Sequence, residues 1–136
     1  MTVQLLTPEG MFQPVPYHHV SVATGTRHVH VAGQIARTPD GDPVAPGDLR
    51  GQLVQALRST ARGLAGAGAS FTDVVRLRFF VTGRQPEMYA DFVAGIEDVS
   101  EELGLPTPLP PLSAIGMDHL VEPDVLVEVE AYAVLD

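Results

Sequence analysis

The chain has no cysteine and no lysine; its eight basic residues are all arginine. Without thiols, a disulfide framework, a thiolate zinc site and a cysteine nucleophile are excluded. Positive charge is also scarce, with 17 acidic residues against eight basic ones and a formal net charge of -9. Such a surface repels phosphate backbones, so no nucleic-acid partner is expected. No apolar run approaches the ~20 residues that a membrane-spanning helix needs. The opening Met1-Thr2-Val3-Gln4-Leu5-Leu6 has no basic stretch leading into a long apolar one. The expectation is a cytoplasmic protein with no membrane partner.

What is present suits a packed fold. Hydrophobic residues make up 45% of 136 residues, enough for one domain over 1–136 with a real core. Residues 1–16 carry Pro8, Pro14 and Pro16, which suit an extended edge strand or loop. Residues 18–35 read as a hairpin turning at Ala23-Thr24-Gly25-Thr26. Asp48 is placed to cap a helix with an apolar stripe at Leu49, Leu53, Ala56, Leu57, Thr60, Ala61 and Leu64. Arg50, Gln52, Arg58 and Arg62 fall on its polar face, and Gly66 and Gly68 end it.

The run from Asp73 to Val81 is the strongest strand, with Val75, Leu77, Phe79 and Val81 on an apolar face. Pro86 suits the first turn of a second helix, where Met88, Phe92, Ile96, Val99 and Leu103 recur at helical spacing up to Gly104. Prolines at 106, 108, 110 and 111 forbid its continuation. Two last strands follow, roughly 112–118 and 124–135.

This order predicts an α+β fold, a single sheet with both helices on one face. The sheet's other face would carry His28, His30, Arg76, Arg78, Glu128, Glu130 and Tyr132 among Phe80, Leu126 and Val134. Charges mixed with apolar groups suit a subunit interface. Glu128 and Glu130 share that face because strand side chains alternate. The histidines at 28 and 30 point one way, as a metal pair would, but no acidic ligand accompanies them locally, and no metal site is assigned.

Several stretches, in this order, resemble the reactive intermediate deaminase (Rid/YjgF) family over about residues 16–135. Pro16-Tyr17 is similar to the family's G-P-Y. Val31-Ala32-Gly33-Gln34-Ile35 is similar to its S-G-Q-I strand. Asp73-Val74-Val75 with Phe79-Phe80-Val81 resembles D-I-V-x-x-x-V-F-V. Tyr89-Ala90-Asp91-Phe92 resembles Y-x-x-F, and Val127-Glu128-Val129-Glu130-Ala131-Tyr132-Ala133 resembles the terminal I-E-I-E-A-I-A strand. The resemblance implies a chorismate-mutase-like fold with ferredoxin-like element order, and a homotrimer with a small-molecule cleft between subunits. It implies hydrolysis of enamines and imines such as 2-aminoacrylate to keto acids and ammonia, with no cofactor.

By the same resemblance Glu128 matches a glutamate that helps place the attacking water, and Tyr17 matches a cleft tyrosine. The family's P-x-R-S-x motif holds the substrate carboxylate through its arginine, the bidentate geometry guanidinium suits best. Here the motif reads Pro110-Pro111-Leu112-Ser113-Ala114, with leucine at the arginine position. Losing such a desolvated, charge-assisted contact costs roughly 2–5 kcal/mol. Activity on 2-aminoacrylate is therefore expected to be weak or absent. Leu112, Ser113, Ala114 and Gly33 are taken as substrate-binding positions, with Arg78 as a displaced carboxylate clamp and His119, just past the altered motif, as a further candidate.

Two functions stay open: an imine or enamine hydrolase with altered specificity, or a non-catalytic small-molecule-binding or interaction protein on the same trimer. An arginine beside Glu128 (Arg37, Arg76 or Arg78) would favour the first. An uncharged cleft lined by Leu112, Met117 and aromatic rings would favour the second. A ribonuclease reading, also attached to the family, is disfavoured by the acidic balance and the lack of a basic patch.

Overall fold

A computed structural model describes residues 3–83 and 85–136. Among the described residues, six strands and two α-helices follow in the order β1 (Val3–Leu6), β2 (Val20–Ala23), β3 (Arg27–Gln34), α1 (Leu49–Gly66), β4 (Val74–Thr82), α2 (Met88–Leu103), β5 (Leu112–Met117) and β6 (Val127–Leu135). The strands form a four-stranded sheet, β3-β6-β4-β5, and a separate β1-β2 ribbon. The α+β class is as expected; the single sheet is not, and neither is the 18–35 hairpin. β2 pairs antiparallel with β1, and only β3 joins the large sheet, against β6. Both strands had partners of better length elsewhere, since β3 pairs along most of its eight residues with the nine-residue β6.

Both helices cover one face of the large sheet. Leu53, Leu57 and Leu64 of α1 and Val99 of α2 are fully buried against Leu77 and Phe79 of β4 and Val127, Val129 and Ala133 of β6. Asp48 caps α1 as expected, its side chain accepting from Gly51 N at 3.0 Å. Gly104 ends α2 in the left-handed region at φ 67°. Pro86 lies just outside α2, which begins at Met88. Among the described residues, no helix is long and apolar enough to cross a membrane.

Two residues sit differently from their expected faces. Val75 is a bulge: Val74 pairs with Ala133 and Arg76 with Tyr132, so an extra residue is inserted on β4. Val74 therefore joins the main core, while Val75 turns to the far side and packs with Val3 and Val134 beneath the β1-β2 ribbon. Gln52, expected on the polar face of α1, is only 1% exposed. Its amide donates to Asp124 O at 2.9 Å, and its Oε1 accepts from Leu126 N at 2.9 Å. A buried amide satisfied in this way costs little and fixes the entry of β6, two residues before Glu128.

Candidate active site

Glu128 lies on the open face of the sheet. Its cross-strand neighbour is Phe80, and Ile115 follows on β5. On its other side β3 comes unusually close. Val31 pairs with Ala131 and Gln34 with Val129, so Ala32 and Gly33 together oppose one residue of β6. A Cβ on Gly33 would stand 2.6 Å from Glu128 Cδ and 2.8 Å from its Oε2. Any side chain there would displace the carboxylate, which is a concrete reason for glycine at this position. Burial pushes the Glu128 carboxyl above the usual glutamate value, and the charge of Glu130 adds to this. None of the ion pairs among the described residues includes Glu128. A carboxylate across the strand from an aromatic residue, close to backbone and in no ion pair among the described residues, suits proton exchange with water at a higher pH than an ordinary glutamate.

Leu112 and Ala114 lie elsewhere. They pair with Leu77 and Phe79, so they face the helix side at the edge of the sheet. There they help to line a cavity of about 400 Å3 beneath α2. Tyr17 reaches the same cavity because its strand segment bridges Leu109, with His18 N donating to Leu109 O at 2.8 Å. Phe92, Ile96 and Tyr89 of α2 form much of the remaining wall. No arginine or histidine lines it among the described residues.

The other expected site residues fall into neither group. Ser113 points to the open face, where its hydroxyl accepts from Arg76 Nη2 at 2.7 Å. Arg78 stands across from Glu130, with Nη1 3.6 Å from Oε1. That is an ion-pair distance but too long for a hydrogen bond, and the buried Glu130 Oε1 has no hydrogen-bond partner among the described residues. Arg37 is spent on a bidentate pair with Asp124 at 2.9 and 2.8 Å. His119 is exposed in the loop after β5. Tyr132 stacks on His30, with ring centroids 4.4 Å apart, and hydrogen-bonds His28. No cluster of potential metal ligands occurs among the described residues.

One chain thus pairs Glu128 with Gly33, and Tyr17 with Leu112 and Ala114, but on opposite faces of the sheet. Arg78, Ser113 and His119 join neither pair. Sequence reading put Phe80 on the face of Glu128 without pairing the two and missed Ile115 beyond it, although strand alternation gives both once the register is known. It also left Tyr89 and Phe92 unassigned to any site, because helical spacing makes Phe92 a core residue and leaves Tyr89 off the apolar stripe.

The comparisons with known proteins fit this layout. The family model described as Endoribonuclease L-PSP matches residues 12–135. A 2-iminobutanoate/2-iminopropanoate deaminase of Dermatophagoides farinae is 27% identical over 124 residues, covering 91% of this chain and 90% of that protein. Among solved structures, the Rid-family protein of unknown function YyfB from Yersinia pestis is 33% identical, with a TM-score of 0.87 over 99% of this chain and 100% of that one. The YjgF gene product of E. coli is 27% identical, with a TM-score of 0.67 over 96% and 92%. With nearly the whole chain matched, and the expected strands and helices in the expected order, the protein belongs to the Rid/YjgF (endoribonuclease L-PSP) family.

Proposed function

We propose that the protein hydrolyses a small imine or enamine in a cleft between subunits of a cytoplasmic homotrimer, with Glu128 orienting and activating the water. The observation that carries this is the Glu128 carboxylate, raised in pKa by burial and seated against Gly33 beside Phe80. In the step inferred, water oxygen attacks the carbon of the protonated imine as Glu128 takes up one water proton, giving the neutral carbinolamine. The carbinolamine then collapses: Glu128 returns its proton to nitrogen, the C–N bond breaks, the hydroxyl proton passes to solvent, and ammonia and a carbonyl compound leave. Tyr17 lends a hydroxyl to the binding half. Because Glu128 and the Tyr17–Leu112 cavity lie on opposite faces of one chain, a second copy is needed for them to meet. The open face, with Arg78, Glu130 and Phe80 uncovered by either helix, is the surface on which that copy would sit.

The direct test is ammonia release from 2-iminopropanoate supplied by an amino-acid oxidase. Native protein is expected to act weakly. Leu112→Arg is expected to act faster, and Leu112→Arg with Glu128→Gln to fall back to background. A folded Leu112→Arg protein with no gain counts against the reading. The second reading, binding without hydrolysis, is supported by the cavity's lack of a guanidinium among the described residues. It takes over if Glu128→Gln leaves every measured rate unchanged.

A further inference from the structure

The cavity beneath α2 carries the argument beyond the reaction class. Its volume of about 400 Å3 is at the lower end for small-molecule sites, which run from roughly 300 to 1,000 Å3. Phe92, Ile96, Leu112 and Tyr17 make its lining chiefly apolar, and Glu97 is the charged residue on it among the described residues. A carboxylate entering here would give up water and face a glutamate. Both changes are unfavourable. An uncharged branched or cyclic hydrocarbon group would instead bury its surface against aromatic and aliphatic side chains. The Tyr17 hydroxyl would remain for a carbonyl or imine nitrogen, which is the usual division of labour in such sites. Ala114, the smallest side chain on the wall, leaves room at the end nearest β5.

We infer that this cavity selects a neutral ligand, an aldimine or ketimine with a branched aliphatic or aromatic substituent and no carboxylate, and that Leu112 and Ala114 determine this choice. The inference rests on the proposed imine chemistry for the reactive group, but the selectivity is a matter of binding. It is therefore tested with unreactive ketones. 4-Methyl-2-pentanone and 4-methyl-2-oxopentanoate share an isobutyl group and differ by methyl against carboxylate. Titrated into the native protein and followed by amide chemical shifts, the neutral ketone is expected to bind at least tenfold more tightly, with shifts at Tyr17, Phe92 and Ala114. Leu112→Arg is expected to reverse the preference. Ala114→Phe, which fills the cavity, is expected to weaken binding of the neutral ketone at least tenfold while its amide spectrum stays folded.

Equal or tighter binding of the oxo acid by native protein overturns the inference, as does neutral binding untouched by Ala114→Phe. Failure of this inference and failure of the proposed hydrolysis are separable. Ketone selectivity without ammonia release leaves the ligand class standing and removes the enzyme, whereas ammonia release from carboxylated imines with no ketone selectivity does the reverse.

Discussion

The cavity beneath α2 and the row around Glu128 make an instructive pair. Both are flanked by aromatic and aliphatic side chains, Phe92 and Ile96 in the cavity and Phe80 and Ile115 beside Glu128. In the cavity the polar partner expected at position 112 is replaced by leucine, and the wall becomes apolar. In the row a carboxylate is kept where burial disfavours its charge, and β3 bulges at a glycine to leave it room. A retained charge that costs stability asks for a functional reason, and a surrendered one does not. On the proposed function, the carboxylate of Glu128 is the reacting end and the apolar cavity the recognition end.

Changes that break the contrast can be ranked. Glu128→Gln removes the proton acceptor and is expected to lower ammonia release by about 10²–10⁴-fold, read as kcat on whichever imine the native protein turns over. Gly33→Ala pushes the same carboxylate aside without changing its chemistry. Misplacement on this scale is expected to cost up to about 10²-fold, with thermal stability little altered. Leu112→Arg acts on the other region. It is expected to improve kcat/KM for carboxylated imines by about tenfold or more and to worsen it for neutral ones.

Two smaller effects concern stability. Gln52→Leu strips partners from Asp124 O and Leu126 N at the entry to β6 and is expected to cost about 1–3 kcal/mol in urea unfolding. Glu128 titrates higher in the folded chain than in the unfolded one, so the folded state holds its proton longer. Its contribution to stability is present below the unfolded glutamate value of 4.5 and is lost as pH rises through the raised folded value. The melting-temperature gain of Glu128→Gln over native protein is therefore expected to be larger at pH 7 than at pH 4. An equal gain at both would mean that Glu128 is not desolvated.

Much of this layout was legible beforehand, for identifiable reasons. The two helices announced themselves through apolar spacing, and their ends through Asp48 and Gly104, because those signals are local. The pairing of β2 with β1 was not legible, since strand partners are chosen over long sequence separations that a turn signal cannot arbitrate. Val75 was put on the wrong face because period two fails at a bulge, and nothing in D-V-V-R marks one. Gln52 looked like a surface residue until two backbone groups of the distant β6 supplied its partners. The split between Glu128 and Leu112 was invisible for a similar reason. Each motif was readable, but which face it occupies depends on the sheet register.

The most direct test of the proposed pairing of a reacting carboxylate with an apolar recognition cavity uses two imines that differ only in the carboxylate. An amine oxidase that releases free imine yields 3-methylbutan-1-imine from isopentylamine, and an amino-acid oxidase yields 4-methyl-2-iminopentanoate from leucine. The quantity to measure is the rate of ammonia release above background from each. The account predicts clear acceleration of the neutral imine by native protein, little of the carboxylated one, and neither with Glu128→Gln. Acceleration of the carboxylated imine alone, or acceleration that survives Glu128→Gln, would contradict it.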